Sequence, residues 1–250
     1  MKRFGLIGFP LGHSWSARYF SDKFASEGTT DYRYDLFPLK KIEELPQLLS
    51  NTPDLAGFNV TIPYKQSVMD YLDELSEPAK KIGAVNCVRV SRTSESSTLL
   101  SGYNTDWLGF LEAYGTQLSD FGQKAMILGN GGAARAVAYA LQQLEIEPLF
   151  VGRHDYNTGN FLYWNEILPG HFKQFRIIIN TTPLGMSPDV DSSPPVPYEY
   201  LTRNHLVIDL VYNPEETLFI KKAKRYGAVT AGGYPMLTAQ AEHSWKIWTQ

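Results

Sequence analysis

The sequence predicts a two-domain α/β protein, with an N-terminal α/β domain followed by a doubly wound α/β domain. Three observations predict it. Strand-like apolar runs alternate with helix-like stretches along the chain, the pattern of a parallel sheet covered on its faces. The apolar run Ala125-Met126-Ile127-Leu128 meets the cluster Gly129-Asn130-Gly131-Gly132, which opens into Ala133–Leu144, rich in helix-forming Ala and Leu. The part before Tyr103 has strand signals of its own, so it forms a separate small α/β unit.

In chain order, Arg3–Phe9 reads as a strand, and Ser16 is placed to cap a helix that Gly28 stops. Tyr32–Phe37 alternates as a second strand, and Lys40–Leu49 is a short helix complicated by Pro46. After the strand Leu55–Val60, Pro63 suits the first position of a helix extending towards Leu72. Ala84–Val90 and Thr98–Tyr103 flank a polar tip as a hairpin, and Asp106–Leu118 is a helix. Beyond the glycine loop, strands are expected at Pro148–Val151, Arg176–Asn180 and Leu206–Leu210, with a helix at Thr217–Tyr226. Between Arg153 and Arg176, Gly159, Pro169 and Gly170 leave little room for a full helix–strand unit. Pro235–Trp248 is a closing helix with one apolar face, suited to completing the first domain. The expected division is 1–103 plus 232–250 against 104–231.

Composition narrows the function. The 250 residues are 43% hydrophobic and 20% charged, ordinary for a globular protein. A net charge of −3 gives no reason to expect nucleic acid or an anionic membrane as partner. The single cysteine, Cys87, excludes an intrachain disulfide and fits a reducing, cytoplasmic setting. No apolar run has membrane-spanning length, and no His/Asp/Glu cluster has metal-ligand spacing.

The clearest chemistry is nucleotide binding. Gly129-x-Gly131-x-x-Ala134 fits a dinucleotide fingerprint: Gly129 turns, Gly131 admits a pyrophosphate, and Ala134 lets helix and strand pack closely. Gly152-Arg153 follows the next strand, where an NAD site usually carries an acidic residue and an NADP site a basic one. Arg153 therefore points to NADP, although no second basic residue follows closely and Asp155 adds a negative charge.

Other residues have two readings each. Lys65, if in the first turn of a helix opened by Pro63, meets a field that destabilises its ammonium form and suits proton transfer; otherwise it is a solvated surface lysine. Asp106 caps a helix or orients Lys65. Ser14 and Ser16 form a carboxylate receptor beside a helix start, or a turn and a cap. Asn86 faces solvent from its strand or meets a ligand, and Gln240 does the same from its helix edge. His13 reads as a loop hydrogen-bonder.

The ordered motifs resemble the shikimate dehydrogenase family over nearly the whole chain. They are Gly8-Phe9-Pro10-Leu11-Gly12-His13-Ser14-Trp15-Ser16, Asn59-Val60-Thr61-Ile62-Pro63-Tyr64-Lys65, Gly83-Ala84-Val85-Asn86 and Asn104-Thr105-Asp106. The Gly129–Ala134 loop follows, then Asn180-Thr181-Thr182-Pro183-Leu184-Gly185-Met186, Asp209-Leu210-Val211-Tyr212-Asn213-Pro214 and Gly233-Tyr234-Pro235-Met236-Leu237-Thr238-Ala239-Gln240-Ala241. Each is weak alone; in this order they are specific.

The resemblance implies reversible reduction of 3-dehydroshikimate to shikimate with NADPH, in aromatic amino-acid (chorismate) biosynthesis, by a monomer or homodimer. It implies that Lys65 and Asp106 are the catalytic pair. Ser14, Ser16 and Tyr212 would hold the substrate carboxylate, and Thr61, Asn86 and Gln240 the ring hydroxyls. The cofactor would meet Gly129, Asn130, Gly131, Gly132, Ala133, Arg153, Thr181 and Gly233. The chain departs from the family at Ala17, Tyr19-Phe20, Cys87 and Gly152-Arg153-His154. The competing readings are an NAD-linked quinate/shikimate dehydrogenase, an idle cofactor-binding regulator, and another NADP enzyme such as methylenetetrahydrofolate dehydrogenase.

Overall fold

The computed structural model describes residues 1–12, 14–92, 97–154 and 160–250. His13, Asp155 and most of the polar hairpin tip lie outside the described residues. The chain divides into two compact units, Met1–Thr105 with Ala241–Gln250, and Asp106–Gln240. Two boundaries differ from the expected ones. Asn104 and Thr105 stay with the first unit because Asn104 Nδ2 donates to Ala84 O (2.9 Å) and Thr105 N to Asn86 Oδ1 (2.6 Å). The second boundary falls inside the last helix, because Met236 is buried in the core of the second unit.

The first unit comprises β1 (Lys2–Gly8), α1 (Trp15–Ser26), β2 (Tyr32–Pro38), α2 (Leu45–Asn51), β3 (Leu55–Val60), β4 (Glu74–Leu75), α3 (Glu77–Ile82), β5 (Cys87–Arg92) and β6 (Thr98–Tyr103). Its sheet has the order β2-β1-β3-β5-β6-β4, with β2, β1 and β3 parallel and β5 antiparallel to both neighbours. The predicted hairpin is present, its strands registered from Cys87↔Tyr103 to Arg92↔Thr98. Period-two alternation divides the strand side chains between two cores. Ile7, Phe58, Val60, Val88 and Val90 join one with Leu45 of α2, and Phe4 and Cys87 join the other with Phe20 and Phe24 of α1. Pro46 is accommodated in the first turn of α2, after a short 3₁₀ turn at Ile42–Glu44. The short α3 carries its own signals, Ser76 accepting from Ala79 N and Gly83 closing in the left-handed region at φ 67°.

The predicted helix from Pro63 is absent. Turns cover this stretch, and only a 3₁₀ segment forms at Ser67–Tyr71. The Lys65 carbonyl accepts from Val85 N at 2.7 Å, a partner in the loop before β5, twenty residues along the chain.

The second unit comprises α4 (Asp106–Leu118), β7 (Lys124–Leu128), α5 (Gly132–Gln143), β8 (Glu147–Gly152), β9 (Phe161–Tyr163), α6 (Pro169–Gln174), β10 (Ile177–Asn180), β11 (Leu206–Asp209), α7 (Leu218–Arg225) and β12 (Val229–Ala231). It ends with the start of α8 (Tyr234–Thr249). The sheet is parallel throughout, with order β12-β11-β10-β7-β8-β9. The order reverses between β7 and β10, which is the doubly wound Rossmann topology and its switch point. Alternating residues of β7 serve opposite faces: Ile127 packs with α4 and α5, and Met126 and Leu128 pack with Phe172 and Phe219. The sparse segment before Arg176 does hold a strand and a helix, β9 and α6. Both are too short to produce a recognisable period. The same brevity hid β12. Among the described residues, no helix is long and apolar enough to cross a membrane.

Candidate active site

Most of the predicted substrate residues in the first unit lie at one end of its sheet. Ser14 and Ser16 follow the carboxyl end of β1, and Thr61 and Lys65 follow the carboxyl end of the neighbouring β3. Asn86 immediately precedes β5, which runs antiparallel to β3, so it comes to the same end. Backbone bonds fasten these loops together: Thr61 N donates to Ile7 O (3.0 Å), Phe9 N to Ile62 O (3.1 Å) and Val60 N to Asn86 O (2.9 Å).

Ser14, not Ser16, occupies the N-cap position of α1, and it makes no side-chain capping bond. Ser16 lies in the first turn of α1. Asn86 is 3% exposed and does not face solvent. Its Oδ1 accepts from Thr105 N (2.6 Å), and its Nδ2 donates to Thr105 Oγ1 (3.0 Å). It thereby ties the start of β5 to the residue that precedes Asp106. Asp106 is itself 6% exposed at the first position of α4, where a carboxylate is favoured by the helix dipole.

A buried polar chain lies behind these loops. Tyr34 Oη donates to Asn59 Oδ1 (2.9 Å), Asn59 Nδ2 donates to Asn86 O (3.1 Å) and Ser244 Oγ (2.9 Å), and the Ser244 and Thr105 hydroxyls are 3.2 Å apart. Cys87 is fully buried, and burial pushes its thiol pKa up to about 12 and leaves it unreactive. Sequence reasoning gave no role to Asn59, Tyr34 or Ser244. The available signal was Asn59, a lone amide inside an apolar strand.

In the second unit, the glycine loop leaves the carboxyl end of β7 at the switch point. Gly129 has φ 112°, and a Cβ there would stand 2.6 Å from Thr181 Oγ1, so only glycine fits. Thr181, after β10, closes the loop from the other side by donating both N–H (2.9 Å) and Oγ1–H (2.8 Å) to Leu128 O. Asn130 Nδ2 donates to His154 O, linking the loop to the turn after β8 that carries the exposed Arg153. Gly131 caps α5 without a side-chain bond, so the first-turn N–H groups of Gly132 and Ala133 are left for an anion. These residues fit a dinucleotide, and neither Gly152 nor Arg153 repels a 2′-phosphate. Tyr212 follows β11 and is 36% exposed. Gly233 lies where a Cβ would meet Leu210 O at 2.3 Å. Gln240 Nε2 donates to Leu237 O of its own helix (2.9 Å).

Asp209 accounts for the motif around it. It is fully buried at the end of β11, and accepts from Asn180 Nδ2 (2.9 Å), Val211 N (3.0 Å) and Thr217 Oγ1 (2.6 Å). It therefore locks the ends of two adjacent strands to the cap of α7. Burial, only partly offset by these donors, raises its carboxyl from 3.8 to about 6. A folded-state pKa above the unfolded value means that this group contributes stability fully at low pH, and that the contribution is lost as pH rises through about 6. The unfolding free energy of the protein minus that of Asp209→Asn should therefore fall by about 2 kcal/mol between about pH 4 and pH 7. Denaturant melts across this range measure it, and a flat difference would contradict the assignment.

Known proteins resemble this chain over nearly its whole length. Residues 6–88 match the family model of the shikimate dehydrogenase substrate binding domain. The curated shikimate dehydrogenase (NADP(+)) of Caldanaerobacter subterraneus subsp. tengcongensis is 37% identical, over 99% of this chain and 91% of its own length. The crystal structure of the Thermus thermophilus shikimate 5-dehydrogenase with NADP(H) and shikimate matches with a TM-score of 0.84 at 32% identity, covering 100% of this chain and 94% of that one. The Listeria monocytogenes shikimate 5-dehydrogenase, in complex with shikimate and NAD, matches with a TM-score of 0.85 at 28% identity, covering 99% of this chain and 91% of that one. Identity of this order, sustained over almost the full length of both sequences, means that the chain belongs to the shikimate dehydrogenase family.

Proposed function

We propose that this chain is an NADP-dependent shikimate dehydrogenase, reversibly reducing 3-dehydroshikimate to shikimate in the route to chorismate and the aromatic amino acids. The observation that carries the reading is the convergence of Ser14, Ser16, Thr61, Lys65 and Asn86 at one end of the first sheet. In this reading the Ser14 and Ser16 hydroxyls and Tyr212 hold the substrate carboxylate, while Thr61, Asn86 and Gln240 hold the ring hydroxyls. Bound NADPH supplies hydride to the ring ketone. Lys65 Nζ stabilises the negative charge that grows on the ketone oxygen and delivers a proton to it, with Asp106 orienting Lys65. Gly129, Asn130, Gly131, Gly132, Ala133, Thr181 and Gly233 shape the cofactor cleft. The enzyme acts in the cytoplasm as a monomer or homodimer, without nucleic acid.

Initial rates with shikimate and quinate, each with NADP⁺ and NAD⁺, test this. The highest efficiency is expected with shikimate and NADP⁺. Preference for quinate with NAD⁺ would favour the NAD-linked alternative, and no turnover with any pair would favour a regulator. Arg153 carries the cofactor preference through charge-assisted bonds to the 2′-phosphate. Arg153→Ala should weaken NADPH binding by about ten- to a hundredfold and NADH binding little, as read by fluorescence titration. Equal losses for both cofactors would mean that Arg153 does not read the 2′-phosphate.

A further inference from the structure

Arg135 is the only charged residue of α5, and its place in the helix is an unfavourable one. The first turn of α5 holds no acidic residue, and Gly131 at its start makes no side-chain cap. Arg135 closes that turn, its N–H donating to Gly131 O at 3.1 Å. A cation there opposes the positive end of the helix dipole. The Arg135 Nε is buried and finds no hydrogen-bond partner among the described residues, which costs stability until an acceptor is supplied. A helical side chain leans over the turn before its own Cα, so the Arg135 stem lies towards Gly131 and Gly132. Gly131 borders open space, where an added Cβ would meet no atom within 4 Å. An anion at the helix start would satisfy the uncapped N–H groups, the dipole and the guanidinium together.

We propose that Arg135 is a cofactor-binding residue, its guanidinium gripping the pyrophosphate of the dinucleotide beside the first N–H groups of α5. This rests on the reading that the second unit binds NADPH. The planar fork of a guanidinium matches two phosphate oxygens through charge-assisted bonds. Gly131, without a side chain, keeps the space over the turn clear for both groups. Arg135 and Arg153 then divide the cofactor between them. Arg135 meets a group that NADPH and NADH share, whereas Arg153 meets the 2′-phosphate that only NADPH carries.

Arg135→Met keeps an apolar stem and removes the charge. In fluorescence titrations it should weaken NADPH and NADH alike, each by about ten- to a hundredfold. Adenosine 2′-monophosphate, which has no pyrophosphate, should bind the variant as it binds the unaltered protein, read by calorimetry. Without cofactor the variant should melt no lower than the unaltered protein, because the substitution removes an orphaned Nε and a cation from the wrong end of a dipole. Arg135→Gln, which keeps a polar group at the buried position, repeats the test. A cofactor-free melting temperature lower by more than about 4 °C in both variants marks a structural role and overturns the proposal. A loss confined to NADPH, or one shared by adenosine 2′-monophosphate, would put Arg135 elsewhere on the cofactor and also overturns it. If both variants bind NADPH and NADH as well as the unaltered protein does, the proposal fails while the dinucleotide reading stands. If the unaltered protein binds neither cofactor, both fall.

Discussion

Lys65→Ala is expected to lower kcat by about a hundred- to ten-thousand-fold, the range for losing a positioned proton donor. The case for this size of effect comes from how the residue is mounted. Its carbonyl accepts from Val85 N at 2.7 Å, and the side chain of the preceding residue, Tyr64, is buried with its phenol donating to Leu39 O at 2.7 Å. A half-buried lysine on so firm a base can keep its ammonium at one place, and that preorganisation is what gives an acid its catalytic value. The shikimate KM should rise far less than kcat falls, since the charge that Lys65 meets develops only in the transition state. Steady-state kinetics, with the melting temperature and NADPH affinity as controls, measure this. A variant with near-normal kcat would show Lys65 to be structural, and the proposed chemistry would need another acid.

The largest expected loss of stability is at the other end of the chain. Trp248→Ala should destabilise the protein by about 3–5 kcal/mol, the cost of removing a large aromatic from a close-packed core. The Trp248 side chain is 4% exposed and stacks on Phe4 at 5.0 Å. Its indole Nε1 donates to Val88 O at 3.0 Å. Its ring lies so close to β3 that a Cβ at Gly57 would fall 2.3 Å from its Cδ1, so the strand has given up a side chain to seat it. Removing the indole leaves a cavity over Gly57 and takes one hydrogen bond from the Val88 carbonyl. Urea melts followed by circular dichroism give the value. A cost below about 1 kcal/mol would mean that the last turns of α8 are dispensable to the first unit.

Much of this was legible in advance where the cause is local. The strand–glycine–helix junction at Leu128–Gly132 was readable because turn chemistry and hydrophobic period act over a few neighbouring residues. The hairpin from Cys87 to Tyr103 was readable for the same reason. The expectation of a helix from Pro63 failed for a non-local reason. Proline suits a first turn, but here the Lys65 carbonyl is tied to Val85 N and the stretch runs as turns, and that partner is far along the chain. The dipole argument for Lys65 falls with that helix, and the case for the residue now rests on its mounting.

The sequence by itself determined the succession of strands and helices, the dinucleotide-type loop and the family, because these depend on residues read in order. Only the tertiary structure decided which polar groups are interior. Asn59, Asn86, Thr105 and Ser244 meet in one hydrogen-bonded chain although they come from separate stretches of sequence. Asp209 is a buried lock rather than a surface carboxylate for the same reason. A buried polar group is tolerable only when partners supply its missing hydrogen bonds. Those partners are brought together by strand pairing and by the return of the last helix, which no local pattern in the sequence encodes.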